Sequence, residues 1–306
     1  MLRIPAVIAV LGLSALTLAA CASGPSDASC DRADSDASAL ELVQTSGDLG
    51  QPSMKVSTPL VVDTTVFTDE IVGDGARVTT TQQDVDVAAT LVNGTSGAVV
   101  AQGVVPAQTV ERWKQTWPGL ATMMMCATAG SRIVGAFPAS ELSDEVAQGF
   151  GASSDDTLVA ALDLTKVYLP AADGAPQYND RRGMPSVVLA PNGRPGIIIP
   201  DAAAPTELAV ETLKKGSGPA ITADDTARVH YTSVDWDTRK VVDSTWEDGA
   251  SKGVTTADTL PFASELLGAT VGSQLLVVVP PSSDGGAATA YVVDILGIDD
   301  PASATQ

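Results

Sequence analysis

The sequence predicts an α+β protein of two tandem domains, each mostly antiparallel sheet with one short helix. Three observations predict it. Short runs rich in Val, Thr and Ile alternate with Gly, Asn, Asp and Pro from residue 40 onward, the pattern of strands separated by turns. Helical periodicity is scarce, with 110–125 and 259–268 as the only good stretches. Finally, Ala127-Thr128-Ala129-Gly130-Ser131-Arg132-Ile133-Val134 recurs as Ala269-Thr270-Val271-Gly272-Ser273-Gln274-Leu275-Leu276, an offset of 142 (272 − 130).

The chain opens on a leader. Arg3 supplies a positive start, and the apolar run 4–18 falls short of the ~20 residues a membrane span needs. Leu18-Ala19-Ala20-Cys21 resembles the lipobox, the cleavage and lipidation signal of bacterial lipoproteins. The resemblance implies a signal peptide over 1–20 and a mature protein starting at a diacylglyceryl-modified Cys21, outside the cytoplasm and tied to the cell membrane. The alternative is an ordinary signal peptide with a chance cysteine. With Lys+Arg 17 against Asp+Glu 37 the net charge is −20, which repels phosphates and anionic lipid. Nucleic acid is therefore excluded as a partner, and the lipid must hold the protein at the bilayer, a task for more than one acyl chain.

Residues 21–50 are predicted as a flexible tether, because 22–38 are Ser, Ala, Asp and Gly with almost nothing large to bury. Strands are expected at 60–66, 84–91 before the Asn93-Gly94 turn, 132–137, 158–164, 226–231, 275–279 and 291–298. The offset of 142 also relates Pro138 to Pro280, Val85-Asp86-Val87 to Ala227-Arg228-Val229, and Val99-Val100 to Val241-Val242. After the prolines it falls to 131 (294 − 163), so the first copy carries a longer loop before its last strand. Collinear matches at a constant offset indicate tandem duplication, with boundaries at 51–170 and 205–300 and a connection over 171–204.

The second copy carries specific pieces: Lys215-Gly216-Ser217-Gly218, Asp225-Thr226-Ala227-Arg228-Val229-His230-Tyr231-Thr232, Val241-Val242-Asp243-Ser244-Thr245-Trp246, Thr270-Val271-Gly272-Ser273 leading to Pro280-Pro281, and Tyr291-Val292-Val293-Asp294-Ile295-Leu296. Together they resemble the FKBP family of peptidyl-prolyl isomerases. Residues 184–200 and the following Glu207-Leu208-Ala209-Val210 look like the inter-domain connection of actinobacterial two-domain FKBP lipoproteins. The resemblance implies, for each domain, an antiparallel half-barrel sheet curled over a short helix, with a pocket for proline-containing polypeptides and no cofactor. Carried over residue by residue, it implies site roles for Tyr231, Val242 (phenylalanine in the family), Asp243, Phe262 (where a tryptophan floors the pocket) and Tyr291.

Several positions depart from the family. Asp258-Thr259-Leu260-Pro261-Phe262 lacks the usual valine–isoleucine pair, and Ser282-Ser283-Asp284-Gly285-Gly286 lacks the carbonyl-binding tyrosine. The expected isomerase is weak. In the first copy Tyr231, Asp243 and Phe262 map to Ala89, Ala101 and Leu120, so a binding or spacer role is expected there. The rival reading for the whole protein is a non-catalytic chaperone or interaction lipoprotein.

Other chemistries find little support. His230 is the only histidine, and strand alternation turns it away from Tyr231, as a structural residue would be. Asp235-Trp236-Asp237 reads as a solvated acidic pair, and Met123-Met124-Met125 as core. Asn93-Gly94-Thr95 is a formal glycosylation triplet that the turn explains, and no Gly-rich phosphate loop or metal-ligand cluster is present. With Cys21 lipidated, Cys30 and Cys126 remain, an even number in an oxidising compartment, and a disulfide between them is expected.

Overall fold

The computed structural model describes residues 30, 32, 37–178, 181–282 and 286–300. Cys21 and the leader lie outside the described residues. The chain divides into two units, Met1–Cys30 and Asp31–Gln306, and the second holds everything that follows.

Residues Ala37–Leu42 form a 3-10 turn that runs into a hairpin of β1 (Val43–Ser46) and β2 (Ser53–Val56). The first large sheet comprises β3 (Val66–Ile71), β4 (Asp84–Asn93), β5 (Val99–Thr109), β6 (Ser131–Pro138) and β7 (Thr157–Val167). Its order is β3-β6-β7-β4-β5, antiparallel throughout. Between β5 and β6 lie α1 (Val110–Thr116) and α2 (Pro118–Met124), and α3 (Asp144–Gly149) precedes β7. A connection with β8 (Ala175–Pro176) and a hairpin of β9 (Ser186–Leu189) and β10 (Pro195–Ile198) leads to the second sheet. There β11 (Ala209–Lys215), β12 (Thr226–Asp235), β13 (Val241–Ser244), β14 (Lys252–Thr255), β15 (Gln274–Val279) and β16 (Thr289–Ile298) give the order β13-β12-β16-β15-β11-β8, with β14 also on β12. A single turn, α4 (Thr245–Asp248), separates β13 from β14.

The two sheets share one connectivity: β11, β15, β16 and β12 repeat β3, β6, β7 and β4 in the same order. The edge differs. In the first sheet β5 pairs β4 along its whole length, whereas in the second α4 splits that edge into β13 and β14. The likeness extends to hydrogen bonds. The Thr128 hydroxyl donates to the Gly73 carbonyl at 2.7 Å and the Gly73 amide to the Ser131 hydroxyl at 2.9 Å; Thr270, Gly216 and Ser273 repeat both distances. It also extends to what lies behind each sheet. Leu40, Met54 and Leu60 pack on Val92, Ala136, Val159 and Ala161, while Met184, Ile199 and the second hairpin pack on Val234, Leu276, Val278 and Val292.

Opposite those faces are the main cores. Alternation sends Val85, Val87, Ala89 and Leu91 of β4 to one side, where they meet Trp113, Leu120, Met123, Phe137 and Leu162. In the second core Val229, Tyr231, Leu275, Val277, Val293 and Ile295 meet Phe262 and Leu266.

Several expectations are corrected. The tether predicted over 21–50 ends early: 37–46 are ordered, and Leu40 is buried under the first sheet. Ahead of it, Arg32 spans the Asp69 carboxylate, donates to the Met123 and Met125 carbonyls at 2.6 Å, and lies over the Phe67 ring. The strand predicted at 60–66 starts only at Val66, because Leu60 and Val62 bond instead to the Gly94 carbonyl and the Thr157 hydroxyl. The helix predicted over 110–125 is two helices broken at Trp117 (φ −139°, ψ 71°). Pro118 drives the residue before it out of the helical region and starts the next helix at its first position. The helix predicted over 259–268 shrinks to a 3-10 turn at Ala263–Leu266 after Pro261.

Candidate functional site

Three rings gather on the core face of the second sheet. Tyr231 projects from β12, Tyr291 from β16 and Phe262 from the segment before the 3-10 turn. Ser233 pairs with Tyr291 across the strands and with Asp243 on the other side, which places the site residues in one strip of sheet. Ring centroids lie 5.1 Å apart for Tyr231–Phe262, 5.5 Å for Phe262–Tyr291 and 6.5 Å for Tyr231–Tyr291, all tilted. Such edge-to-face packing holds large apolar faces rigidly. The Tyr231 hydroxyl donates to the Asp243 carboxylate at 2.5 Å. Burial, then that bond and the carboxylate's charge, push the Tyr231 phenol well above its ordinary value. Burial, then the Asp243 charge, also raises the Tyr291 phenol.

The wall behind Tyr231 comes from α4. The Thr245 hydroxyl accepts from the Tyr231 amide at 2.9 Å and lies 2.8 Å from His230 Nδ1. Trp246 stacks on the His230 ring at 4.3 Å. Burial and the nearby Arg228 charge push His230 down to about 4, so it stays neutral through the neutral range. The motif Val241–Trp246 contained Thr245, but its role was not read from sequence; a hydroxyl beside the turn-forming Trp-Glu-Asp was the available signal.

Of the five expected pocket residues the structure brings four together: Tyr231, Asp243, Phe262 and Tyr291. Val242 is not among them. The register slips between Ser233 and Val234, and Val242 falls in that bulge, 63 % exposed. The segment after Pro281 closes on itself through the Ser282 amide and hydroxyl to Gly286, and 283–285 lie outside the described residues. In the first sheet the matching positions Ala89, Leu120 and Ala160 are buried among Trp113, Met123 and Phe137.

Elsewhere, Asp235 Oδ1 accepts from the Thr238 amide and hydroxyl, a turn device. Met123 and Met124 are core, and the Asn93 side chain caps its own turn through the Thr95 and Ser96 amides. Among the described residues no group of His, Cys, Asp and Glu could hold a metal ion, and no helix is long and apolar enough to cross a membrane. Cys30 and Cys126 are each disulfide-bonded.

No protein-family model matches the sequence, and a comparison with curated proteins finds no match. Among solved structures the chain is similar to the three FKBP domains of wheat FKBP73, at 16% identity and a TM-score of 0.33, covering 78% of this chain and 98% of that one. It is also similar to FkpA from Escherichia coli (19% identity, TM-score 0.29, 39% of this chain and 53% of that one). A third is the N-terminal domain of FKBP42 from Arabidopsis thaliana (15%, 0.29, 34% and 98%). Two of the three carry FKBP in their names.

Proposed function

We propose that the protein is a peptidyl-prolyl cis-trans isomerase of FKBP type built from two tandem copies of one domain, with weak activity confined to the second. The carrying observation is the Tyr231–Asp243 hydrogen bond beside the three packed rings, in a copy whose sister has Ala89, Ala101, Leu120 and Ala160 at the matching places. A prolyl bond turns over a barrier of ~18–20 kcal/mol set by amide resonance. No nucleophile is needed: an apolar wall favours the less polar twisted amide, and rigid rings hold the proline while it turns. Asp243 fixes the Tyr231 ring, a positioning role.

The test is a prolyl-peptide isomerisation assay on the whole chain. Asp243→Ala and Tyr231→Phe should each lower kcat/KM about tenfold, ~1.4 kcal/mol of barrier, with unfolding midpoints little changed. Equal rates in wild type and Asp243→Ala would remove the assignment. A second reading, a holder of unfolded chains, is favoured by the exposure of Val241 and Val242 beside Asp243; a silent assay with suppressed client aggregation would select it.

The proposed setting is extracytoplasmic, with the lipid on Cys21 as anchor and a Cys30–Cys126 bond fastening the tether where Arg32 already grips Asp69 and the end of α2. Closing so long a loop is worth ~4–5 kcal/mol in the chain-entropy model. Mass spectrometry of protein from the membrane fraction should give a lipidated Cys21 at the N-terminus and, without reduction, a peptide joining Cys30 to Cys126. An unmodified N-terminus, or free thiols at both positions, would contradict this.

A further inference from the structure

The two sheets meet along a seam made from matching positions of the two copies. Tyr168 and Asp299 stand at the same place in the repeat (299 − 168 = 131), and each donates its amide to the first carbonyl of its own central strand, Asp84 at 3.0 Å and Thr226 at 2.8 Å. Across the seam the Tyr168 hydroxyl lies 3.1 Å from Asp299 Oδ1 and 3.4 Å from Asp86 Oδ2. The Tyr168 ring lies so close to Gly297 that a Cβ there would sit 2.6 Å from its Cδ1. The Leu169 amide reaches the Leu296 carbonyl at 3.1 Å, and the Ser251 hydroxyl donates to the Asp84 carboxylate. Arg228 of β12 grips Asp299 through Nε and Nη2 and lies 5.7 Å over the Tyr168 ring. Lys166 of β7 pairs with Asp300.

The seam therefore holds four carboxylates, Asp84, Asp86, Asp299 and Asp300, against two cations, Arg228 and Lys166. Arg228 is committed to Asp299 and Lys166 to Asp300, while Asp84 and Asp86 are both buried and keep only neutral donors, Ser251 for Asp84 and the Ala107 amide with the Tyr168 hydroxyl for Asp86. A buried carboxylate without a cation of its own is stabilised by taking up a proton.

We propose that this seam is a proton-sensitive lock between the two sheets, tightened when Asp84 is protonated and loosened when it is ionised. Burial pushes Asp84 up to about 6; Asp299 and Asp86 add to that, and Ser251 and Arg228 oppose it. Asp86 is also raised, chiefly by burial. The sign follows from linkage. The closed seam holds the proton more tightly than an open one, where Asp84 returns to its ordinary 3.8. Its contribution to closure is thus complete below pH 3.8 and lost as pH rises through about 6. Between pH 7.5 and pH 5 closure should tighten about tenfold.

Hydrogen exchange on the whole chain, corrected for intrinsic rates, reads this directly at the amide of Leu169, which crosses the seam to the Leu296 carbonyl. Its protection should rise about tenfold from pH 7.5 to pH 5, while amides in the middle of β6 and β15 stay unchanged. Asp84→Asn, which keeps an acceptor for Ser251, should remove most of that dependence and hold protection at the acid level. Ser251→Ala, at a half-buried position that does not threaten folding, should move the midpoint of the change to higher pH. Protection that is flat or falls on acidification overturns the proposal, as does an unchanged pH profile in Asp84→Asn or an unmoved midpoint in Ser251→Ala.

Discussion

Arg132→Ala should cost ~3–5 kcal/mol, because it leaves a fully buried carboxylate without its cation. Arg132 is 3 % and Asp163 0 % exposed, and the guanidinium grips both carboxylate oxygens at 2.6 and 2.7 Å. Its remaining donors reach the Gly47 and Asp48 carbonyls at 2.9 Å, so the same substitution unfastens the turn of the β1–β2 hairpin. The second sheet supplies a natural comparison. There Gln274 donates to Asp294 at 2.7 Å, the Ala172 amide takes the other oxygen, and burial pushes the carboxyl up to about 6. Arg132→Gln should therefore restore part of the loss and bring a new pH dependence. With the folded-state value raised, the stabilisation is present at acid pH and lost as pH rises through about 6. Urea midpoints at pH 5 and pH 7.5 test both. A glutamine variant as unstable as the alanine variant at both pH values would contradict the equivalence of the two pairs.

Much of the sheet architecture was legible because its strongest signals are short-range. The strands at 84–91, 132–137, 158–164, 226–231, 275–279 and 291–298 all fall within observed strands, since their Val-, Leu- and Ile-rich runs are buried on one or both faces. The recurring segments were legible for a stricter reason: small residues around Gly130 and Gly272 make the same bonds in both sheets. The covering hairpins were not legible. Each rests on a handful of apolar residues such as Met54 or Ile199, and Gly196 and Pro195 in β10 read as turn signals. The edge strand β5 escaped for a similar reason, being half-exposed and carrying Gly103 and Pro106.

The ring positions of the candidate site were legible where side chains face inward in unbroken register. Tyr231 and Tyr291 sit on long central strands whose alternation is undisturbed around them, and resemblance carried Phe262 and Asp243 with them. Val242 was misplaced because it lies in a bulge. A one-residue slip moves a strand side chain to the other face, and no feature of Val241-Val242-Asp243 announces the slip. The seam was invisible for a different reason. Its charges come from Asp84, Arg228 and Asp299, which are 144 and 71 residues apart (228 − 84, 299 − 228), and no local pattern joins them.

Gly216→Ala and Gly73→Ala should each cost at least ~3 kcal/mol, a loss of the size reserved for named structural mechanisms. The mechanism is a collision with backbone. A Cβ on Gly216 would stand 2.1 Å from the Val271 carbonyl oxygen and 2.6 Å from the Gly272 carbonyl carbon; on Gly73 it would stand at the same distances from the Ala129 oxygen and the Gly130 carbon. Neither neighbour is the end of a side chain that could swing away. Separating them would also break the bonds from Thr270 and Ser273, or from Thr128 and Ser131, to the glycine's own carbonyl and amide. Exposed residues one position on, Asp74 and Ser217, serve as controls, and alanine there should stay within ~0.5 kcal/mol of wild type. Because the contact has the same distances in the two sheets, the two glycine variants should lose similar amounts in urea denaturation. Gly73→Ala should lower the unfolding of β3 and β6 first, and Gly216→Ala that of β11 and β15, as read by hydrogen exchange in each sheet. A Gly216→Ala protein within ~0.5 kcal/mol of wild type would show that the strand crossing is looser than these distances require. It would also remove the atomic basis for reading the two sheets as copies of one unit.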